Sequence, residues 1–284
     1  MVGATSVRAY RGAMHAWVNG AIVDPGEAQL PVDDHGLIVG DGIFETMKSV
    51  RREPFAITRH LRRMDRGLEA LGIPHPGDDL LRGAVQECLA AYDDDAEARI
   101  RLTVTAGGGS LGSGAPGGPP SVFVVVIPAA GPVLPAAITV PWTRNEGGAL
   151  AGLKTTSYAE NVRALRAAHD VGASEAIFPN TRGELCEGTG TNVFVVVDGE
   201  CLTPPLSSGC LAGVTRELVL ELDLAREATL PIGVLGTADE IFLTSTTRDV
   251  QGLERVDDRA LPVGPVTRHV AERFDAVIAE TTDP

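Results

Sequence analysis

Apolar and polar residues alternate most cleanly from Ile43 to Val50 (Ile-Phe-Glu-Thr-Met-Lys-Ser-Val), which predicts a strand. His15 to Asn19 and Ala21 to Val23 flank Gly20 as the arms of a hairpin. The spacing then becomes helical. Leu61, Met64, Leu68 and Leu71 fall on one face, with Thr58 placed as N-cap and Gly72 as the stop. A second helix is predicted from Asp78 to Tyr92, then strands at Arg99 to Thr105 and Val122 to Ile127. Glycine and proline dominate between those strands, and the run from Pro128 to Pro135 reads as a stiff linker. Beyond it the pattern predicts strands at Ala137 to Val140, Glu175 to Phe178, Asn192 to Val197 and Glu240 to Leu243. Helices are predicted from Tyr158 to Val171, from near Val214, and from Val266 to Glu280. Strands and helices mix without regular βαβ alternation. The expected fold is therefore α+β in two domains, residues 1–127 and 136–284, joined by a linker at 128–135.

At 284 residues, with 44% hydrophobic and 22% charged positions, the chain is long enough to give two such domains proper cores. Its formal net charge of -14 argues against nucleic acid, because no basic stripe would release counterions from a phosphate backbone. A small phosphate-bearing ligand stays compatible, since a helix N-terminus and a few arginines can hold one. No stretch is apolar over the roughly 20 residues that a bilayer span needs. Residues 1–20 also lack an apolar run followed by small residues, so a cytoplasmic location is expected. Cys88, Cys186, Cys201 and Cys210 form no Cys-x-x-Cys pair, which points to neither a metal site nor a disulfide framework.

Candidate chemistry centres on Lys154, in Gly-Leu-Lys-Thr-Thr-Ser-Tyr, and Glu187, in Leu-Cys-Glu-Gly-Thr-Gly-Thr-Asn-Val-Phe. An amine able to form a Schiff base, with a carboxylate in a glycine- and threonine-rich turn, suits pyridoxal phosphate. The lysine carries the aldehyde, and the acid keeps the ring nitrogen protonated. A lone lysine is most often a solvated charge, so the pair carries the argument. The cofactor also needs a cradle for its phosphate. Gly213-Val214-Thr215-Arg216 opens a helix, and Thr244-Ser245-Thr246-Thr247 follows a strand. Either segment alone is more often a good helix cap. Arg59, at the start of the first long helix, is placed to add positive charge.

The chain resembles the fold-type IV pyridoxal-phosphate enzymes: branched-chain aminotransferases, D-amino acid aminotransferases and aminodeoxychorismate lyases. The resemblance spans nearly the whole length. It rests on Gly40-Asp41-Gly42-Ile43-Phe44-Glu45-Thr46, on the Thr58 to Met64 helix start, and on the Lys154 and Glu187 segments. Gly213 to Arg216 and Phe242 to Asp249 complete it. It implies a small N-terminal α/β domain and a larger, barrel-like α+β domain. It also implies a homodimer whose loops close a site between the domains. Lys154 resembles the Schiff-base lysine and proton carrier, and Glu187 the ring-nitrogen partner. Arg59, Gly213, Val214, Thr215, Ser245 and Thr246 resemble the phosphate cup. Tyr158 is the candidate for the ring hydroxyl, although the branched-chain pattern has its tyrosine five residues after the lysine. For substrate contacts the resemblance suggests Leu37, Arg101, Thr247 and Arg248, with Arg101 read equally well as a solvated strand arginine.

The expected reaction is a ping-pong transfer of an amino group between an amino acid and a 2-oxo acid. The Thr-Ser-Thr-Thr loop and the lysine-to-glutamate spacing lean toward D-amino acids. L-branched-chain transamination, or a lyase releasing pyruvate, is the alternative. Gly108-Gly109-Ser110-Leu111-Gly112 matches a serine-hydrolase elbow, and the same tract matches a dinucleotide fingerprint. Both patterns need a helix directly afterwards, which Ser113 to Pro120 cannot start. A flap over the site accounts better for that tract.

Overall fold

A computed structural model describes residues 14–92, 96–114 and 116–284. Most of the stretch searched for a leader therefore lies outside the described residues. The chain divides into two units. The first runs to Ala130 and includes Lys154–Ser157 and Thr281–Pro284, and the second takes Gly131–Leu153 and Tyr158–Glu280. A contiguous boundary cannot express this, because the segment bearing Lys154 folds with the N-terminal part.

In the first unit β1 (His15–Val18) and β2 (Ala21–Val23) form the hairpin around Gly20, followed by the short helix α1 (His35–Ile38). Strands β3 (Gly42–Val50), β4 (Glu53–Pro54), β5 (Ala98–Thr105) and β6 (Ser121–Pro128) complete a sheet ordered β2-β1-β6-β5-β3-β4. Helices α2 (Ile57–Leu71) and α3 (Asp78–Ala91) cover one face. Alternation decides which face that is. Ile43, Met47, Ile100, Leu102, Val104, Val122, Val124 and Val126 are buried with Leu61, Met64 and Leu68 of α2 and Leu81 and Val85 of α3. Each such side chain contributes about 1.5–3 kcal/mol on burial, so a one-residue slip that turned them outward is strongly disfavoured. The opposite face carries Phe44, Thr46 and Lys48 beside Thr103, Arg101 and Arg99.

Thr58 does not cap α2. The helix opens at Ile57, with Ala56 at the N-cap in the left-handed region (φ 55°) and no side-chain cap of its own. The cap comes from far along the chain. Asp283 accepts from the Thr58 amide at 3.0 Å and from its hydroxyl, while the Thr282 carbonyl accepts from Ala56 N at 2.7 Å. A carboxylate there also meets the positive end of the helix dipole. Asp283→Ala is expected to cost about 1 kcal/mol, read as a lowered denaturation midpoint. An unchanged midpoint would mean that the helix start needs no remote cap.

The second unit holds two five-stranded sheets. One consists of β7 (Ala136–Thr139), β8 (Glu175–Pro179) and β9 (Leu185–Gly188) with β15 (Arg255–Val256) and β16 (Arg259–Ala260). The other consists of β10 (Asn192–Val197), β11 (Glu200–Thr203), β12 (Arg226–Glu227), β13 (Glu240–Ser245) and β14 (Asp249–Gly252). Their apolar runs are buried on both faces. Val193, Val195, Ile241 and Leu243 join one core cluster, while Phe194 and Phe242 stack at 4.7 Å on the other side. Helix α4 (Ala159–Asp170) packs Ala164 and Ala168 against Ala176 and Phe178. Helices α5 (Val214–Glu221) and α6 (Pro265–Glu280) complete the unit. Among the described residues no helix is long and apolar enough to cross a membrane.

Candidate active site

Lys154 is fixed by its backbone. Its carbonyl accepts from Phe44 N at 3.0 Å, Thr155 bridges Ile43, and Thr156 N donates to the Gly42 carbonyl at 2.8 Å. The segment thus runs along the start of β3, and this close passage explains the Gly40-Asp41-Gly42 motif. Gly40 has φ +72°, and a Cβ there would stand 2.4 Å from Ser157 Oγ. The Lys154 amine lies 4.4 Å from the centroid of the Phe44 ring, and the Arg101 guanidinium lies 3.6 Å from the same centroid.

On the helix-covered side of β3, Glu45 is fully buried. It accepts from Arg63 Nε at 2.7 Å and Nη2 at 2.6 Å, and lies 2.7 Å from His60 Nδ1. Burial alone would raise its carboxyl, but Arg63 and His60 hold it at about 2. Burial lowers the His60 imidazole, Glu45 pulling the other way, and the charges of Arg63 and Lys154 add to the depression. Neutral His60 therefore donates from Nδ1 to Glu45. Arg59 is engaged elsewhere, its Nε donating to the Pro284 carbonyl at 2.8 Å. Of these two α2 arginines, Arg63 is the one that Glu45 holds beside His60, whose imidazole feels the Lys154 charge. Sequence reading had no means of choosing it over Arg59, one turn earlier on the helix.

In the second unit Glu187 sits on β9 and is clamped by two donors. Arg144 Nε reaches Oε1 at 3.1 Å, and Leu211 N reaches Oε2 at 2.8 Å. Arg144 also bonds Glu160 at 2.6 Å and lies over the Phe178 ring at 4.0 Å. A lone arginine ten residues before the lysine gave no sequence signal, and it went unread. The turn after Glu187 is ordered by buried Glu175, which accepts from Thr189 N at 2.9 Å, from the Thr189 hydroxyl, and from the Thr191 hydroxyl at 3.0 Å.

Tyr158 donates its hydroxyl to the Thr189 carbonyl at 2.9 Å. Burial, and then the charge of Glu187, raise its phenol, so it stays neutral. Its donor role toward a ring hydroxyl is therefore taken, and only its oxygen lone pairs can serve that purpose.

The cup residues do assemble. Asn192 pairs with Thr244 across β10 and β13 and donates from Nδ2 to the Leu211 carbonyl at 2.9 Å. A Cβ on Gly213 would stand 1.9 Å from Asn192 Oδ1, so only glycine lets the start of α5 approach that strand. Val214 and Thr215 are buried at the first turn of α5, with Ser245 and Thr246 half-buried just past β13. Thr244 Oγ1 is buried with no hydrogen-bond partner among the described residues. Open helix amides, clustered hydroxyls and a glycine-permitted approach fit a phosphate ester.

The substrate candidates separate. Leu37, on α1, is exposed, as is Thr247. Arg248 is half-buried. Its Nη2 donates to the Ser174 carbonyl at 2.8 Å, and its Nη1 to Ser174 Oγ at 3.1 Å and Gln251 Oε1 at 2.7 Å. Burial lowers its guanidinium, partly offset by Glu175. Three of its five N–H donors thus hold Ser174 and Gln251. The glycine tract is anchored at its base, with Gly109 N donating to the Asp33 carbonyl at 3.1 Å and His35 Nε2 2.9 Å from the Ser110 carbonyl. No helix directly follows Ser110 among the described residues.

The model of the family Amino-transferase class IV matches residues 42–256. The chain is 33% identical to a putative branched-chain-amino-acid aminotransferase of Methanocaldococcus jannaschii, over 92% of this chain and 95% of that protein. It is 29% identical to a bifunctional aminodeoxychorismate lyase / D-amino acid transaminase of Mycobacterium tuberculosis, over 92% and 97%. Among solved structures it superposes on a hypothetical aminotransferase from Mycobacterium tuberculosis in its PLP-bound form. There the TM-score is 0.83 at 27% identity, covering 94% of this chain and 99% of that one.

Proposed function

Because this chain belongs to the class IV aminotransferases, which work through pyridoxal phosphate, we propose that it moves an amino group between an amino acid and a 2-oxo acid, D-amino acids included. The observation that carries this reading is the two-point clamp on Glu187. An acid held between a guanidinium and a backbone amide is fixed in direction, as the partner of a protonated ring nitrogen must be.

Pyridoxal phosphate supplies an aldehyde to carry the amino group and a cationic ring that draws electron density from the substrate α-carbon. The chain's residues do the rest. Lys154 would hold the aldehyde and, once displaced, take the proton from the substrate α-carbon at Nζ. Glu187 would keep the proton on the ring nitrogen. Val214, Thr215, Ser245 and Thr246 would receive the phosphate, and an arginine of α2 would add positive charge. Tyr158 would accept from the ring hydroxyl.

D-substrates are favoured by the lysine-to-glutamate length and the Thr-Ser-Thr-Thr loop, and by the D-amino acid transaminase activity named for the Mycobacterium tuberculosis relative. The Methanocaldococcus jannaschii relative favours an L-branched-chain reading instead. A half-reaction screen decides. Enantiopure D- and L-amino acids are mixed with holoenzyme while the cofactor's visible band is followed. Bleaching by L-valine or L-leucine alone would overturn the D-assignment, and pyruvate release from aminodeoxychorismate without an acceptor would mark a lyase.

Glu187→Gln is expected to keep the cofactor yet slow this half-reaction about 100-fold or more. Near-normal bleaching would mean that another acid serves the ring.

A further inference from the structure

Thr244 is 1% exposed, and its hydroxyl has no hydrogen-bond partner among the described residues. Its neighbours in the sheet explain why. It pairs with Asn192 of β10 on one side and with Val250 of β14 on the other, and residues paired in this way share a face of the sheet. Val250 brings no acceptor on its side chain. Asn192 is turned elsewhere: its Nδ2 donates to the Leu211 carbonyl at 2.9 Å, and its Oδ1 fills the space that a Cβ on Gly213 would need. Because α5 packs on β13 and starts at that glycine, the hydroxyl is confined beneath the first turn of α5.

A buried hydroxyl left unpaired is costly, and folded proteins hold few of them. Valine would fill the same space, suits a strand as well, and leaves nothing unpaired. Thr103 and Thr267 also bury unpaired hydroxyls, but neither borders open helix amides. Thr103 pairs with Phe44 in the first unit, and the Thr267 amide is held by Glu240 at 2.7 Å. Beside Thr244 the situation differs. The first amides of a helix have no partner within it, and Gly213 supplies α5 with no side-chain cap. An anion seated on those amides brings acceptor oxygens, which is what the Thr244 proton lacks.

We infer that Thr244 is a further binding residue for the cofactor's phosphate, its hydroxyl donating from the sheet beneath the start of α5. The inference rests on the pyridoxal-phosphate reading above and adds a residue to those given the phosphate there. It also fixes a sign. The hydroxyl burdens the chain alone and is satisfied with phosphate in place, so its removal should leave the unliganded fold at least as stable and weaken cofactor binding. A threonine that merely braces the sheet would do the reverse.

The test uses the full chain as wild type, Thr244→Val and Thr244→Ser, each freed of cofactor and then titrated. Melting temperatures are read without cofactor and with inorganic phosphate. Dissociation constants are read from visible absorbance for pyridoxal phosphate and for pyridoxal, which lacks the phosphate. Thr244→Val is expected to melt no lower than wild type without cofactor, to bind pyridoxal phosphate about tenfold or more weakly, and to bind pyridoxal as wild type does. Inorganic phosphate should raise its melting temperature less than that of wild type. Thr244→Ser, which keeps the hydroxyl, should retain most of the affinity. A Thr244→Val chain that melts lower or fails to fold overturns the inference, because the hydroxyl would then be bonded within the fold. So does unchanged affinity for pyridoxal phosphate, an equal loss for pyridoxal, or Thr244→Ser binding as weakly as Thr244→Val. Each of these leaves the cofactor reading standing. If wild type binds no pyridoxal phosphate, that reading falls and the inference falls with it.

Discussion

Lys154→Ala is expected to abolish amino transfer, with a loss of about 10⁴-fold or more, because one substitution would remove both the proposed covalent anchor of the cofactor and the proposed base at the substrate α-carbon. The fold should survive the change. Position 154 is held by its carbonyl on Phe44 N, and the next two residues by their own backbone contacts with β3, none of which involves the amine. The side chain's contact with the Phe44 ring is lost. Borohydride treatment of wild-type holoenzyme should leave the peptide containing residue 154 heavier by the reduced cofactor, and the variant should show no such peptide. Label recovered at another lysine, or turnover persisting in Lys154→Ala, would refute the assignment of the reactive amine.

The largest stability effect is expected at Glu45. Its carboxylate takes two hydrogen bonds from Arg63 and one from His60 inside the first unit's core. Removing it strands the Arg63 charge without its buried partner, which costs about 3–5 kcal/mol. Glu45→Ala should therefore move the urea midpoint far more than Asp283→Ala. A shift no larger than that of a surface carboxylate would show that the cluster is solvated. The same group sets a pH dependence. Its carboxyl lies at about 2 in the folded chain against 4.5 for the ordinary group. Its stabilisation is therefore complete above 4.5 and drains away as pH falls toward 2. His60, lowered below 6.5, acts in the same sense from a higher starting point, since unfolding frees a histidine that binds a proton more readily. Wild type should lose stability as pH falls below 6.5, and Glu45→Gln should lose less between 4.5 and 2.

Much of this could be read from the chain alone, and the failures share a cause. Alternation in β3 and heptad-like spacing in α2 identify the first unit's core because each face packs against apolar neighbours close by. Lys154 and Glu187 stand out because their flanking glycines and threonines encode turns. Thr58 looks like a cap, yet its amide and hydroxyl are satisfied by Asp283, 225 residues away. Arg59 and Arg63 are equivalent on a helical repeat, and only Glu45, in a strand, tells them apart. Arg248 resembles a ligand contact, and its bonds to Ser174 and Gln251 cannot be read from the loop that bears it. The short strands β9, β11, β12, β14 and β16 each pair with the strand before them and β15 with the distant β7, so their limits are set by that pairing more than by their own residues.

Leu211, Ala212 and Gly213 tie the acid at Glu187 to the start of α5. The amide of Leu211 steadies Glu187, its carbonyl is gripped by Asn192, and Gly213 launches α5 against that same asparagine. Three residues thus couple the acid proposed for the cofactor's ring nitrogen to the helix start proposed for its phosphate. Neither could be retuned alone: a mutation here would shift both like a beam on a shared pivot. Laboratory evolution should find this tripeptide hard to alter, even where the surrounding loops tolerate change.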